Sequence, residues 1–372
     1  MSRDLFIFAG EASGDLHGEQ LIKKLKKKRP ELDIFGVGGP LMRRAGLAPL
    51  LPMEAFEVMG FVDVFLALPR LMRQFFQLRR AILKENPKAV LLIDYPGFNL
   101  ALAKSLSKRG FKGKICQYIC PTVWAWNKKR IPKMEKSLDH LFTILPFEPP
   151  LFDPTKLAAE FVGHPLMHRP RTATAVSVPQ GKRAVAIFPG SRAKEIERNL
   201  SLQLETAQKL LEEFPNLFFL ISVAKPSFTP IIQKKVEELS LPALLEEDTY
   251  GIMASAECAI ATSGTITLEL ALHKVPTVVT YGISALDLFI ARRLLRIRLT
   301  HYCLVNILAQ GTLFPELIGP NLTFKNLLHE MRQLLSSEKR HYQCREKCQE
   351  IAILLGEKEP EVEILGVLEK FL

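Results

Sequence analysis

The chain has no long apolar run, no paired-cysteine motif and no signature of triphosphate or dinucleotide binding. Its longest uncharged apolar stretches lie between Glu257 and Glu269 and between Lys274 and Asp287. Both contain turn residues and fall short of the ~18 residues that a membrane-spanning helix needs. Asp4 stands directly before the first apolar run, unlike a secretory leader. A cytoplasmic protein, at most peripheral on a membrane, is therefore expected. The six cysteines include no C-x-x-C pair and read as reduced thiols. His341, Cys344 and Cys348 would share one helix face, but they lack a fourth ligand, so no metal site is expected. The absence of G-x-x-x-x-G-K-[ST] argues against a P-loop phosphotransferase. No G-x-G-x-x-G follows the first strand, which disfavours an NAD-type dehydrogenase. No Asp-x-Asp pair occurs either, so a diphosphate-bound metal has no evident ligands and no cofactor is expected.

What is present is a folded composition, 48% hydrophobic and 24% charged, over 372 residues. That length suggests two domains. The net charge of +11 favours an acidic partner: nucleic acid, anionic lipid or a phosphorylated substrate. Without an aromatic platform of the RNA-binding kind, nucleic acid is set aside.

The first half alternates strand and helix patterns. Leu5–Ala9 is a short apolar run leading into Gly10-Glu11-Ala12-Ser13-Gly14-Asp15-Leu16-His17-Gly18, and Leu21, Ile22 and Leu25 follow at helical spacing. Its glycines permit close backbone approach to a ligand, and Ser13 or Asp15 is a helix-cap candidate. Further strands over 32–37, 89–93, 114–119 and 141–145 end in Gly38-Gly39-Pro40, in Asp94 to Asn99, in the loop carrying Trp124 and Trp126, and in a proline-rich segment. In an open parallel sheet such loops converge on one crevice. Breakers between Gly163 and Gly181 read as a linker, placing a first domain at 1–170 and a second from 181.

The second series has strands over 184–188, 217–221, 258–261 and 277–280. Two similar α/β domains facing across a cleft are the expected architecture. Gly190-Ser191-Arg192 after the first of these strands combines backbone donors with a guanidinium and suits phosphate oxygens. Ser263-Gly264-Thr265 opens a helix whose N–H groups would hold a diphosphate. Glu269 lies one turn further, where it could accept from ribose hydroxyls. The plainer alternative makes Ser263 a helix cap and Glu269 a solvated charge. Together the two motifs favour a nucleotide diphosphate. Two apolar–basic stretches remain, Phe61–Leu83 and Phe289–Leu299, the latter with Arg292, Arg293, Arg296 and Arg298. They suit contact with an anionic membrane surface, against the ordinary alternative of core-facing helices with a basic outer face.

Read in order, these motifs, together with Val162-Gly163-His164-Pro165, resemble the lipid-A-disaccharide synthase family from end to end. The resemblance implies an α/β GT-B fold, two Rossmann-like domains at 1–170 and 181–359, with residues 360–372 returning to the first. It implies an inverting, metal-independent transfer from UDP-2,3-diacylglucosamine to the 6-hydroxyl of 2,3-diacylglucosamine 1-phosphate. It implies Asp94 as general base, with Glu11 and Asp15 as competitors, and Asn306 in the active site. Gly190, Ser191, Arg192, Ser263, Gly264, Thr265 and Glu269 would bind UDP. Ser13, Gly14, Gly38, Gly39 and Trp124 would form acceptor loops. The chain departs from the family pattern at Gly97, where many members carry Asp, and at Val305 and Gln310, which flank the Asn306 motif in place of Pro and Gly. His17 reads as structural or auxiliary. A UDP-sugar 2-epimerase of the same fold, or a non-catalytic nucleotide-binding protein at the membrane surface, are the competing readings.

Overall fold

The computed structural model describes residues 3–56, 61–168, 174–289 and 299–372, without side chains at 61–67 and 285–286. The chain divides into two compact units, Met1–His168 with Leu355–Leu372, and Arg169–Leu354. The basic stretch with Arg292, Arg293, Arg296 and Arg298 lies outside the described residues, as do linker positions 169–173.

In the first unit, β1 (Leu5–Ala9), β2 (Ile34–Gly38), β3 (Ala48–Pro52), β4 (Ala89–Ile93), β5 (Lys114–Tyr118), β6 (His140–Thr143) and β7 (Ala158–Phe161) form one sheet. Its order is β3-β2-β1-β4-β5-β6-β7, and every pairing is parallel. The central strands are buried throughout, as a parallel sheet covered on both faces requires. Alternation along β1 sends its residues to opposite faces. Leu5, Ile7 and Ala9 pack with Leu21, Ile22 and Leu25 of helix Ala12–Lys28, while Phe6 and Phe8 pack with Leu78 and Ile82 of helix Phe61–Glu85.

The second unit repeats the plan with β8 (Arg183–Phe188), β9 (Leu217–Ser222), β10 (Ala243–Glu246), β11 (Cys258–Thr262), β12 (Thr277–Tyr281) and β13 (Glu316–Ile318). The order is β10-β9-β8-β11-β12-β13, again all parallel. Counted within each unit, both sheets contain the winding 3-2-1-4-5-6 of the Rossmann fold. The order reverses between β1 and β4 and between β8 and β11. The loops leaving those four strands are where this topology puts a ligand.

Helix Pro360–Leu368 buries Ile364, Leu365, Val367 and Leu368 in the core that holds Leu21 and Leu25. The first unit resumes at Leu355, earlier than the expected Pro360. There the His164 N–H donates to the Leu355 carbonyl at 3.0 Å. Gly163 has φ +91, and any Cβ would collide with the Lys358 carbonyl, so this glycine serves the chain's return. No helix among the described residues is long and apolar enough to cross a membrane.

Candidate active site

In the first unit the loops after β1 and β4 bring Glu11 and Asp94 to one cavity of about 650 Å³. Its walls are Leu68, Leu71, Met72 and Phe75 on one side and Pro96, Phe98 and Ala101 on the other. Phe98 stacks on Phe8 at 5.0 Å and meets Phe75 edge-on at 5.7 Å, so the floor is aromatic. The cavity is an apolar groove ending in two carboxylates.

Asp94 and Tyr95 are consecutive left-handed residues, with φ of 48 and 47. Such backbone costs about 1–2 kcal/mol per residue outside glycine and persists only when its surroundings enforce it. Here they do. The Asp94 N–H donates to the Tyr118 carbonyl at 2.9 Å. Its carbonyl accepts from Asn99 Nδ2 at 2.6 Å and from Gln117 Nε2 at 3.0 Å. Both amides are fully buried, and Pro96 fixes the first helical position of Pro96–Lys108. Burial raises the Asp94 carboxyl above the ordinary aspartate value. Loss of hydration and then the charge of Asp94 raise Glu11.

The remaining first-unit candidates have structural partners of their own. Asp15 is 2% exposed and does not cap its own helix, whose N-cap is Glu11 without a side-chain bond. Its carboxylate accepts from the N–H groups of Gly39 (2.7 Å), Leu41 (3.0 Å) and Met42 (3.0 Å). It therefore caps the neighbouring helix Pro40–Arg44. Gly39 is required because a Cβ would strike that carboxylate, whereas a Cβ at Gly14 would sit tightly, 3.1 Å from Ala9. Gly38, Gly39, Ser13 and Trp124 do not line the groove. Trp124 packs edge-on against Phe147 at 5.6 Å, beside buried Glu148, whose carboxyl is pushed up to about 8 by burial. His17 packs edge-on against Tyr118.

In the second unit, Gly190, Ser191, Arg192, Ser263, Gly264, Thr265 and Glu269 all line one cavity of about 640 Å³. Thr262 Oγ1 donates to the Pro189 carbonyl at 2.8 Å, tying the two loops together. Helix Thr265–Leu272 starts at Gly264 with no side-chain cap, so Ser263 is not a cap. Nor is Glu269 a merely solvated charge, since it accepts from the Tyr250 hydroxyl at 2.9 Å. Tyr250 is in turn stacked on His273 at 5.3 Å. Tyr250, Ser222 and Thr249, which line the same cavity, carry no local sequence signal; they come from the second strand's end and from another helix. Glu195, in the helix that follows Arg192, lines it as well.

Asn306 lines a cavity of about 570 Å³ together with Ser263 and Glu316, and its side chain is also engaged within the chain. It is fully buried, and Oδ1 accepts from the N–H groups of Leu313 and Phe314, both at 2.8 Å. Nδ2 donates to the Phe314 carbonyl (2.6 Å) and to Glu316 (2.7 Å). An amide has two donors and two acceptor sites, so this one is saturated within the chain and organises the segment ahead of β13. The cysteine–histidine set of helix Glu338–Gly356 is likewise internal, with His341 Nε2 bonded to the Leu334 carbonyl and Cys344 and Cys348 both buried.

Two Rossmann-like sheets, each with its loops at the point of strand reversal, define the GT-B class of fold. Solved structures share it across nearly the whole chain. The UDP-GlcNAc 2-epimerase from Neisseria meningitidis, bound to UDP-GlcNAc, gives a TM-score of 0.60 at 11% identity, covering 99% of this chain and 100% of that one. The calicheamicin glycosyltransferase CalG4 gives 0.60 at 13%, covering 100% and 99%. At such identity the likeness concerns the fold alone. The sequence decides the family: the model described as lipid-A-disaccharide synthetase matches residues 5–365, and the chain belongs to that family. Lipid-A-disaccharide synthases from Chlamydia muridarum and from Anaeromyxobacter dehalogenans are 40% and 35% identical to it, over 86% and 99% of this chain. The chain spans only 54% of the chlamydial relative but 98% of the Anaeromyxobacter one; another chlamydial relative, from Chlamydia trachomatis serovar D, is spanned over 60%.

Proposed function

We propose that this chain is an inverting glycosyltransferase. It joins UDP-2,3-diacylglucosamine to 2,3-diacylglucosamine 1-phosphate, giving the β-1,6-linked disaccharide 1-phosphate and UDP. The observation that carries the reading is the apolar groove ending in Asp94 and Glu11. An acylated acceptor gives that groove a purpose, and the hydrophilic sugar of an epimerase does not. Family membership points the same way.

In the reaction, Asp94 takes the proton of the acceptor 6-hydroxyl as its oxygen attacks the donor's anomeric carbon. A carboxyl raised by burial is a stronger base than an ordinary aspartate and suits this task. The bond from that carbon to the diphosphate breaks, and the electron pair leaves on the phosphate oxygen. Arg192 and the uncapped N–H groups of helix Thr265–Leu272 meet the developing charge, while Glu269 holds the ribose. Because this chain supplies its own countercharge, equal turnover in EDTA and in magnesium is expected; a strict divalent requirement would replace that part of the mechanism.

The site is proposed to work on the inner face of the inner membrane. Leu68, Met72 and Phe76 stand 48%, 45% and 39% exposed on helix Phe61–Glu85, one turn apart beside the groove, as acyl-chain or lipid contact would use them. The deciding assay is UDP release from the acylated donor in detergent, with and without acceptor. Acceptor-dependent release with a disaccharide product supports the reading. Release without acceptor would point to hydrolysis or epimerisation, and UDP binding without release to a non-catalytic protein.

A further inference from the structure

The groups that read as diphosphate ligands are held by an anion of the chain itself. Glu195, in the first turn of helix Ala193–Glu213, accepts from the Ser191 N–H through Oε2 at 3.0 Å. Its Oε1 lies 2.7 Å from Arg192 Nη1. The glutamate side chain is 17% exposed, whereas that of Arg192 is 80% exposed. Gly190, at φ +127, makes room for it, since a Cβ there would stand 2.6 Å from the Cβ of Glu195. All four residues line the cavity that contains Ser263–Thr265. A carboxylate and a phosphate oxygen seek the same donors, a backbone N–H and a guanidinium.

We propose that Glu195 is an internal competitor of the diphosphate. It shares the Ser191 N–H and the Arg192 guanidinium with the bound nucleotide, must surrender at least one of them on binding, and reclaims them as UDP leaves. This rests on the nucleotide-diphosphate reading of the cavity and adds to it a determinant of product release. Release is a frequent limit on turnover, and a fixed negative charge beside a departing diphosphate hastens it. An ordinary capping role, with a third-position glutamate reaching back to the helix start, explains the Ser191 bond. It predicts no change in nucleotide affinity when only the charge is removed.

The test is Glu195→Gln in the full chain, titrated with UDP by calorimetry and followed by stopped-flow release, with thermal unfolding alongside. The glutamine keeps an acceptor for the Ser191 N–H and removes the charge. Expected are unfolding like that of the unaltered protein, UDP bound roughly fivefold or more tightly, and correspondingly slower release. Unchanged or weaker affinity in the folded variant overturns the proposal. Should Glu195→Gln fail to fold, Glu195→Asp takes its place. It keeps the charge but shortens the reach to both donors, so it too should bind UDP more tightly, and unchanged affinity there overturns the proposal as well. If the unaltered protein binds no UDP at all, the diphosphate reading itself fails, a result distinct from failure of the competition.

Discussion

Asp94 and Glu148 are both carboxyls raised by burial, yet their environments give them opposite uses. Asp94 opens onto a groove. Asp94→Asn should lower turnover by about 10²–10⁴-fold, as loss of a general base does, with UDP affinity unchanged. Because burial raises its carboxyl, activity should fall on acidification through a value above the ordinary aspartate 3.8. A pH–rate profile checks this, and normal turnover by Asp94→Asn would remove it as the base. Glu148 is 1% exposed and raised from 4.5 to about 8. A folded value above the unfolded one stabilises fully below 4.5 and is lost as pH rises through about 8. The loss is on the order of 5 kcal/mol. Glu148→Gln should flatten the melting temperature across that window and melt above the unaltered protein at higher pH; a parallel pair of curves would refute it. Arg192→Ala should weaken UDP binding about tenfold or more, the loss of a charge-assisted hydrogen bond, read by calorimetry.

At the scale of elements, what was legible was what is local. The loop residues that line the second-unit cavity, Gly190 to Arg192 and Ser263 to Thr265, each lie within one strand–turn–helix step, so their chemistry can be read in sequence order. The strands legible in sequence are the inner ones, whose residues are mostly buried. Every strand that went unread is a sheet edge: β3, β7, β10 and β13. Edge strands are half-buried and short, and β3 carries prolines at Pro49 and Pro52, which a central strand would not tolerate. Roles depending on a distant partner were also hidden. The N–H groups of Gly39, Leu41 and Met42 that Asp15 holds, and the four bonds of Asn306, come from segments that no local motif specifies. Asn99 and Gln117 show the same dependence from the other side, since they hold the Asp94–Tyr95 turn from a helix and a neighbouring strand. Asn99→Ala should destabilise by about 1–3 kcal/mol and reduce turnover without altering UDP affinity. Unimpaired turnover would mean the turn holds its shape unaided.

At the scale of the molecule, the second unit is one continuous block, residues 169–354, between two parts of the first. The first unit's core is completed by Ile364, Leu365 and Leu368, and salt bridges from Lys24 to Glu359 and from Lys28 to Glu369 fasten that return. Ile364→Ala should destabilise the first unit by about 2–5 kcal/mol and leave UDP binding intact, because the cavity proposed for UDP is lined wholly by residues of the other block. Chemical unfolding monitored with and without UDP would separate the two, and loss of UDP affinity would contradict their independence. This arrangement also sets an order of events on the ribosome. Helix Ala12–Lys28 emerges early, but the residues that cover it are translated only after the whole inserted block. At ordinary elongation rates that is a delay on the order of tens of seconds. During this interval Leu21, Ile22 and Leu25 lack their final cover, while the inserted block is completed and free to fold before that cover is made. The half carrying the groove is thus begun first and finished last, and a nascent chain stalled before Pro360 would expose an apolar helix face to chaperones.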